Sequence, residues 1–222
     1  QNVLKNIEFD KIFEQNTQLE CLDLSGNLIE YFFLSKNTLT NPIYLDLSSN
    51  FVLKSVQLKP QYIYLNLNNN PRVNFDDNLG AKNIAFENLK ALYLSGTSTK
   101  KLNLSLFPDL VELDLRSTSL DNVESLLRNA PTSLERLLLK NVQSKAAGFS
   151  LDLLDNFPNL IELDLTGCSG FSRAALSKES SSFLLLSRQV RVVKLVLSRL
   201  NLTWPIRSTR FNFSLYQSLQ HL

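Results

Sequence analysis

The clearest pattern in this chain is an alternation of apolar and polar residues that recurs through most of its length. Each copy has an apolar residue at a first position and more apolar residues three and five positions later. In every copy but the last, a smaller or amide residue follows three positions after that. The first copy is LECLDLSGN, residues 19–27. With that first residue as position one, the copies begin at residues 19, 42, 62, 89, 110, 134, 160 and 192. Spacings of 20 to 32 residues indicate a repeat protein.

The spacing within each copy predicts a short β-strand. Apolar residues at positions four and six alternate with other residues, which is the period of two of a strand with one buried face. A strand of a few residues cannot bury that face alone, so neighbouring copies are expected to stack into a parallel sheet over a shared apolar interior. The leucine content, 47 of 222 residues, then consists largely of these inward-facing positions.

Position nine predicts an inward-facing side chain that bonds the turn after the strand. The residues at this position are, in order, Asn27, Asn50, Asn70, Thr97, Thr118, Val142, Cys168 and Leu200. Amides can bond the backbone groups of the turn, and threonine hydroxyls can do part of that work. The apolar side chains of Val142 and Leu200 cannot, so the turn is expected to be less regular in the later copies.

The copies resemble the leucine-rich repeat, L-x-x-L-x-L-x-x-N/C-x-L, over essentially the whole chain. The resemblance implies an α/β fold: a curved solenoid with a parallel sheet on its concave face and irregular or helical segments on its convex face. An F-x-x-L element at Phe86, Phe107 and Phe157, with a variable repeat length, is similar to repeats of Toll-like receptor ectodomains and secreted leucine-rich immune proteins of invertebrates. This implies a non-enzymatic protein-recognition module, extracellular or at the cell surface.

Residues 1–222 are predicted to form a single array of about eight repeats. The chain starts near position nine of one repeat and stops in the first half of another. Arrays need capping units that cover their apolar ends, so we expect a fragment that lacks both caps.

Some segments between the predicted strands are expected to be helical. Asp121 and Glu124 have the spacing of a capping box at a helix start. Ser150 is a second candidate cap, and the segment of residues 172–186 is long enough for a fuller helix.

The composition argues against enzymatic chemistry. His221 is the only histidine, no Cys/His grouping has metal-ligand spacing, and no glycine-rich loop suits a phosphate. No cofactor or metal site is therefore expected. No run of about 18 apolar residues exists, so no direct membrane insertion of this segment is expected. Cys168 is predicted to be buried and Cys21 exposed, six repeats apart and too distant for a disulfide.

Positions three and five point outward from the predicted sheet and predict its binding surface. Tyr44, Tyr64 and Tyr93 fall on successive strands about 4.8 Å apart and should form a cluster. Tyrosine is enriched at binding hot spots, although aromatic residues also simply favour strands. The predicted ligand-binding residues are Tyr44, Tyr64, Tyr93, Asp23, Asp46 and Asn66.

Charged residues predict two further features. The position-three residues that alternate in sign, and so predict cross-strand ion pairs, are Glu112, Arg136, Glu162 and Lys194. The segment from Phe171 onward contains eight Lys or Arg and a single acid, Glu179, which gives it a net charge of +7. Binding of a polyanion through this basic C-terminal third is an open alternative.

Three N-glycosylation sequons occur, at Asn103, Asn201 and Asn212. The Asn, Ser and Thr content gives about this number by chance, so the sequons alone do not indicate secretion.

Three functions stay open. The first is an extracellular module that binds a protein or pathogen-derived ligand. The second is a cytoplasmic scaffold, favoured by Cys21 and by the missing cysteine caps. The third is an adhesion or matrix component in which homo- or hetero-dimerisation dominates.

Overall fold

The computed structural model of the protein describes residues 9–16, 18–34, 41, 43–78, 85–146, 153, 156–169 and 194–196. Within these ranges the chain winds through successive coils, each with one strand of a common sheet followed by a return segment. The helices predicted at Ser150 and at residues 172–186 lie outside the described residues.

The described elements alternate between main strands and short return elements. In chain order they are α1 (Phe9–Gln15), β1 (Cys21–Asp23), β2 (Tyr31–Phe32), β3 (Ile43–Asp46), β4 (Ser55–Val56), β5 (Tyr62–Asn66), α2 (Phe75–Asn78), β6 (Ala91–Tyr93), a 3-10 helix (Leu104–Leu106), β7 (Glu112–Asp114), β8 (Ser119–Leu120), α3 (Val123–Arg128), β9 (Arg136–Leu138), β10 (Gln143–Ser144), β11 (Glu162–Asp164) and β12 (Lys194–Val196).

In the described part of the chain, eight parallel strands form the main sheet, one from each predicted repeat. Their order is β1-β3-β5-β6-β7-β9-β11-β12. Position three pairs with position three of the next strand throughout, for example Cys21 with Tyr44 and Glu112 with Arg136. The predicted fold and register are therefore confirmed. The return segments add two small parallel pairs, β2 with β4 and β8 with β10, and the short helices.

The inward residues at positions four and six form the core. From β3 to β11 these leucines, such as Leu45 and Leu137, are fully buried, whereas Leu22 in β1 is only partly buried. The F-x-x-L phenylalanines are buried between the sheet and the return segments, and the rings of Phe86 and Phe107 stack with centroids 5.4 Å apart. Since the periodic apolar positions hold the coils together, positions three and five are left for the exposed face of the sheet.

The turn after each strand keeps one backbone geometry in the seven coils where it is described. Position eight has a positive φ of 57–67° at Gly26, Ser49, Asn69, Gly96, Ser117, Asn141 and Gly167. The prediction that the later turns are less regular is therefore wrong for these coils. The backbone N–H at this position donates to the position-seven carbonyl of the next coil, as from Asn141 to Thr166 at 2.7 Å. That bond does not involve position nine, so the turn persists beside Val142.

The amides at position nine bond the turn after the strand, as predicted, and Asn50 and Asn70 also bridge to the preceding coil. Asn50 is fully buried, and its Nδ2 donates to the carbonyls of Leu24 at 3.0 Å and Leu47 at 2.9 Å. Asn70 makes the equivalent pair of bonds one coil later. The hydroxyl of Thr118 donates to the carbonyl of its own coil, Leu115, at 2.6 Å. A threonine therefore supplies the bond within a coil, and an amide supplies the bond between coils as well.

Helix α3 forms in the return segment where the sequence predicts a helix, but its cap differs. The N-cap is Asn122, whose side chain accepts the backbone N–H of Ser125 at 2.9 Å. The predicted capping box of Asp121 and Glu124 is wrong: Glu124 pairs with Arg128 within the helix, and Asp121 pairs with Lys145 of the next coil. Asn and Asp cap equally well, so the one-residue error follows from two adjacent good caps.

Candidate functional site

Three tyrosines form a continuous row across strands β3, β5 and β6. The ring centroids of Tyr44 and Tyr64 lie 5.9 Å apart, and those of Tyr64 and Tyr93 lie 5.0 Å apart. Ala91 occupies position three beside Tyr64, and Tyr93 continues the row from position five, since aromatic side chains reach diagonal neighbours on a sheet. The predicted clustering of these tyrosines, called here the tyrosine row, is thus present in the structure.

The tyrosine row is most open at Tyr44, which is 48 % exposed, while Tyr64 and Tyr93 are half-buried. Partial burial raises the pKa of Tyr64, and the nearby carboxylate of Asp46 raises it further. Burial also raises the pKa of Tyr93, as does its hydrogen bond to Glu112. Both phenols therefore stay protonated at neutral pH and remain hydrogen-bond donors.

Asp23, Asp46 and Asn66 line the same part of the sheet and have a structural role that the sequence reasoning missed. Each side chain follows an Asx-turn pattern, accepting the backbone N–H two residues later. The distances are 2.8 Å from Ser25, 2.8 Å from Ser48 and 3.0 Å from Asn68, respectively. The signal was available in the sequence, because Asp114 and Asp164 occupy position five as well and make the same bond.

The two aspartates still present negative charge to the exposed sheet face. Hydrogen bonds from the side chain and backbone of Ser25 lower the pKa of Asp23, so this exposed carboxylate is ionised at neutral pH. The second oxygen of Asp46, Oδ2, accepts a hydrogen bond of 2.8 Å from Asn66. Outward positions three, five, seven and eight of the first four repeats contain no Lys or Arg.

Later coils of the same face carry the predicted cross-strand ion pairs. Arg136 lies between two acids, with its Nη1 2.7 Å from Glu112 and its Nε 2.9 Å from Glu162. Arg116 binds the fully buried carboxylate of Asp114 through both Nε and Nη2, at 2.9 and 2.7 Å. Lys194 extends the sheet next to Glu162, and the position of its side chain lies outside the description. The arginines in these coils therefore neutralise the acids beside them.

The fold is similar to that of an internalin from Listeria monocytogenes, with a TM-score of 0.52 and 14 % sequence identity. The fold is a leucine-rich repeat solenoid. The match covers 84 % of this chain and 57 % of the internalin, so the chain spans little more than half the length of that protein. At this identity the similarity concerns the fold. No protein-family model and no curated protein matches the chain.

The two cysteines of the solenoid differ as predicted. Cys21 is exposed on β1 and Cys168 is buried, and both are free thiols. Burial raises the pKa of Cys168 to about 12, so this thiol is a packing residue at position nine and not a nucleophile.

One of the three predicted glycosylation sites is described. Asn103 is exposed and caps the 3-10 helix, its Oδ1 accepting the backbone N–H of Ser105 at 3.2 Å and the hydroxyl of Ser105 at 2.7 Å. It borders a polar cleft of about 530 Å³ on the return side of the solenoid, beside Lys101 and Asn122. Asn201 and Asn212 lie outside the described residues.

Three other predictions from the sequence concern polyanion binding, membrane insertion and metal binding. From Phe171 onward, where the basic residues lie, the structure describes only Lys194–Val196, so polyanion binding stays a prediction. Within the described ranges, no helix has the length and apolar character needed to cross a membrane. The same ranges contain no group of three or more His, Cys, Asp or Glu residues arranged to hold a metal ion.

Proposed function

We propose that this solenoid recognises a partner protein through the exposed sheet face of its first four coils, with Tyr44 and Tyr64 at the centre of contact. The observation that carries the proposal is the tyrosine row, whose rings lie side by side on three neighbouring strands. Rigid tyrosines offer a large contact area at a low cost in side-chain entropy, and their hydroxyls add hydrogen bonds. Tyr93 supports the row, because it is half-buried and its ring lies 5.0 Å from that of Tyr64.

The rest of the exposed sheet face is less suited to this role. The charged side chains of coils five to seven are largely occupied by one another through Arg116 and Arg136. A partner that binds these side chains would have to break their ion pairs, and the free energy lost would offset the free energy gained from the new contacts. The first four coils instead combine exposed aromatic area with short polar side chains such as Ser48 and Asn68.

The test is affinity selection of randomised 12-residue peptides displayed on phage against the folded chain. Peptides enriched on the wild type should lose at least tenfold in affinity for the double variant Tyr44→Ala/Tyr64→Ala. The matched control is Tyr31→Ala, because Tyr31 is 46 % exposed and stacks on Phe33 away from the main sheet. Selected peptides that bind the double variant within twofold of wild type would refute the proposal, provided that both variants keep the wild-type unfolding midpoint.

We also propose an extracellular or cell-surface location, in line with the F-x-x-L resemblance and the exposed acceptor at Asn103. The exposed thiol of Cys21 favours the alternative of an intracellular scaffold. Mass spectrometry of the native protein from its source separates the two. An N-glycan on Asn103 supports the extracellular proposal, whereas an unmodified Asn103 together with a fully reduced Cys21 contradicts it.

A further inference from the structure

We infer that the partner presents a basic segment, and that an arginine or lysine side chain of this segment binds between the tyrosine row and the carboxylates of Asp23 and Asp46. This inference rests on the proposed function, because it specifies the chemistry of the partner at the same surface. The partner is a protein with exposed cationic side chains.

Charge on the exposed sheet face is the first argument. Asp23 and Asp46 occupy neighbouring strands, paired at position five. Hydrogen bonds to Ser25 keep Asp23 ionised, and both aspartates act electrostatically on the hydroxyl of Tyr64. Since the first four repeats have no Lys or Arg at outward positions, this negative charge has no cationic side chain of the sheet face beside it. A partner with positive charge meets it favourably, and an acidic partner is repelled.

Most acids in the later coils of the sheet face are paired with arginines, unlike Asp23 and Asp46. Glu112, Asp114 and Glu162 all lie in contact with an arginine of the chain itself. Asp164 makes no ion pair among the described residues, but it interacts electrostatically with Arg116. Asp23 and Asp46 have neither an ion pair among the described residues nor an arginine on a neighbouring strand, and they lie beside the tyrosines at one end of the sheet. The location of the uncompensated charge and that of the exposed aromatic area coincide.

The tyrosine rings supply the second half of the cation site. A lysine or arginine placed over an aromatic face within about 6 Å is attracted by the ring, and arginine also stacks on it. The chain contains this arrangement elsewhere: Lys54 Nζ lies 5.2 Å from the ring centroid of Tyr31 and 3.0 Å from Glu30 Oε2. On the sheet face, Tyr44 and Asp46 provide the ring and the carboxylate without the cation. The partner would supply it.

Asp→Asn substitutions isolate charge from structure. Asn66 accepts the turn N–H with its amide oxygen as the aspartates do, so Asp23→Asn and Asp46→Asn keep the turn and remove the charge. Asp164→Asn is the matched control, because Asp164 accepts the N–H of Thr166 in the same way. It lies six strands from β1 in the sheet, or about 29 Å at the usual strand spacing.

The experiment uses the phage selection on the wild-type chain, followed by titration of synthetic peptides. Selected sequences should be enriched in arginine or lysine over the starting library. Replacing those residues by uncharged citrulline should weaken binding about tenfold. The double variant Asp23→Asn/Asp46→Asn should bind the cationic peptides about tenfold more weakly than the wild type, since each exposed ion pair is worth up to about fivefold in affinity. The control Asp164→Asn should change the affinity for these peptides less than twofold.

The other outcomes of this experiment distinguish a failure of the basic partner from a failure of the proposed binding surface. If selected peptides need Tyr44 and Tyr64 but show no cation enrichment, or bind equally with citrulline, the proposed function stands and the basic partner is wrong. If no selected peptide depends on the tyrosines, the proposed function fails and this inference fails with it. If the chain alone self-associates in sedimentation, and Asp23→Asn/Asp46→Asn abolishes this, the cation comes from a second copy and the commitment to a different partner is wrong.

Discussion

Asn66 donates a hydrogen bond of 2.8 Å from its Nδ2 to Oδ2 of Asp46. The two residues are paired at position five of neighbouring strands β3 and β5, so the bond links consecutive coils at the surface. Oδ1 of Asp46 meanwhile accepts the backbone N–H of Ser48. A residue predicted to contact a ligand thus also holds the turn and joins two coils. Binding and stability at this position separate only under conservative substitution.

Replacing Asp46 by alanine should destabilise the solenoid by about 1–2 kcal/mol, because two hydrogen bonds are lost. Asp46→Asn should cost less than about 1 kcal/mol, since its amide oxygen still accepts the turn N–H. Urea unfolding followed by circular dichroism measures both. The control is Asp109→Ala, which removes an exposed ion pair with Lys90 and should change stability by less than about 1 kcal/mol. Equal losses for the alanine and asparagine variants would contradict the turn role of Asp46.

Asn50→Val should be among the most damaging single substitutions in the early coils. It removes the donor shared by the carbonyls of Leu24 and Leu47 and the acceptor of the backbone N–H of Ile29. Buried polar groups left without partners cost about 1–3 kcal/mol each. Thr118→Val should cost less, about 1 kcal/mol, since a single backbone bond of its own coil is lost. If Thr118→Val unfolds at a lower urea concentration than Asn50→Val, the bridging role of the amide is refuted.

Arg136→Met should destabilise the later coils by about 1 kcal/mol at low ionic strength, because Glu112 and Glu162 lose their shared cation. The arginine side chain is half-exposed, so salt should screen the interaction. The difference from wild type should therefore shrink at 1 M NaCl. Arg128→Met, which breaks the exposed pair with Glu124 within α3, serves as the control with a smaller effect. A loss for Arg136→Met that does not change with salt would show that packing, and not charge, accounts for it.

Stability should fall as the pH rises above about 10, with Tyr62 as a main cause. Its ring is buried, its hydroxyl donates to the carbonyl of Gln57 at 3.2 Å, and burial raises its pKa well above the ordinary value. In the unfolded chain the phenol ionises near its usual pKa, so high pH favours unfolding. The stability that the buried, protonated phenol of Tyr62 contributes is fully present below pH 10 and is lost as the pH rises further. Tyr62→Phe should flatten the decline in unfolding midpoint between pH 9.5 and 11; an unchanged decline would assign it to other groups.

Much of this architecture was predictable from spacing alone, because periodicity is a property of the sequence. The inward leucines, the strand register and the adjacency of Tyr44 and Tyr64 all follow from repeat positions four, six and three.

What the sequence reasoning missed depends on backbone hydrogen bonds between coils. Asp46 is predicted to be a ligand-binding residue because it points outward, whereas its turn bond to Ser48 can be inferred only when position five is compared across repeats. The regular turn beside Val142 rests on an N–H to C=O bond from Asn141 to Thr166, which no side-chain pattern encodes.

The most direct test of the central claim is an NMR titration of the chain with its six tyrosines labelled with 13C in the ring. A peptide selected on the wild type is added, and each ring signal is assigned by substitution. We expect the ring signals of Tyr44 and Tyr64 to shift or broaden at substoichiometric peptide, with a smaller effect at Tyr93 and none at Tyr31 or buried Tyr62. Shifts confined to Tyr31, with Tyr44 and Tyr64 unchanged at saturation, would place the binding surface on the return side of the solenoid and refute binding at the tyrosine row.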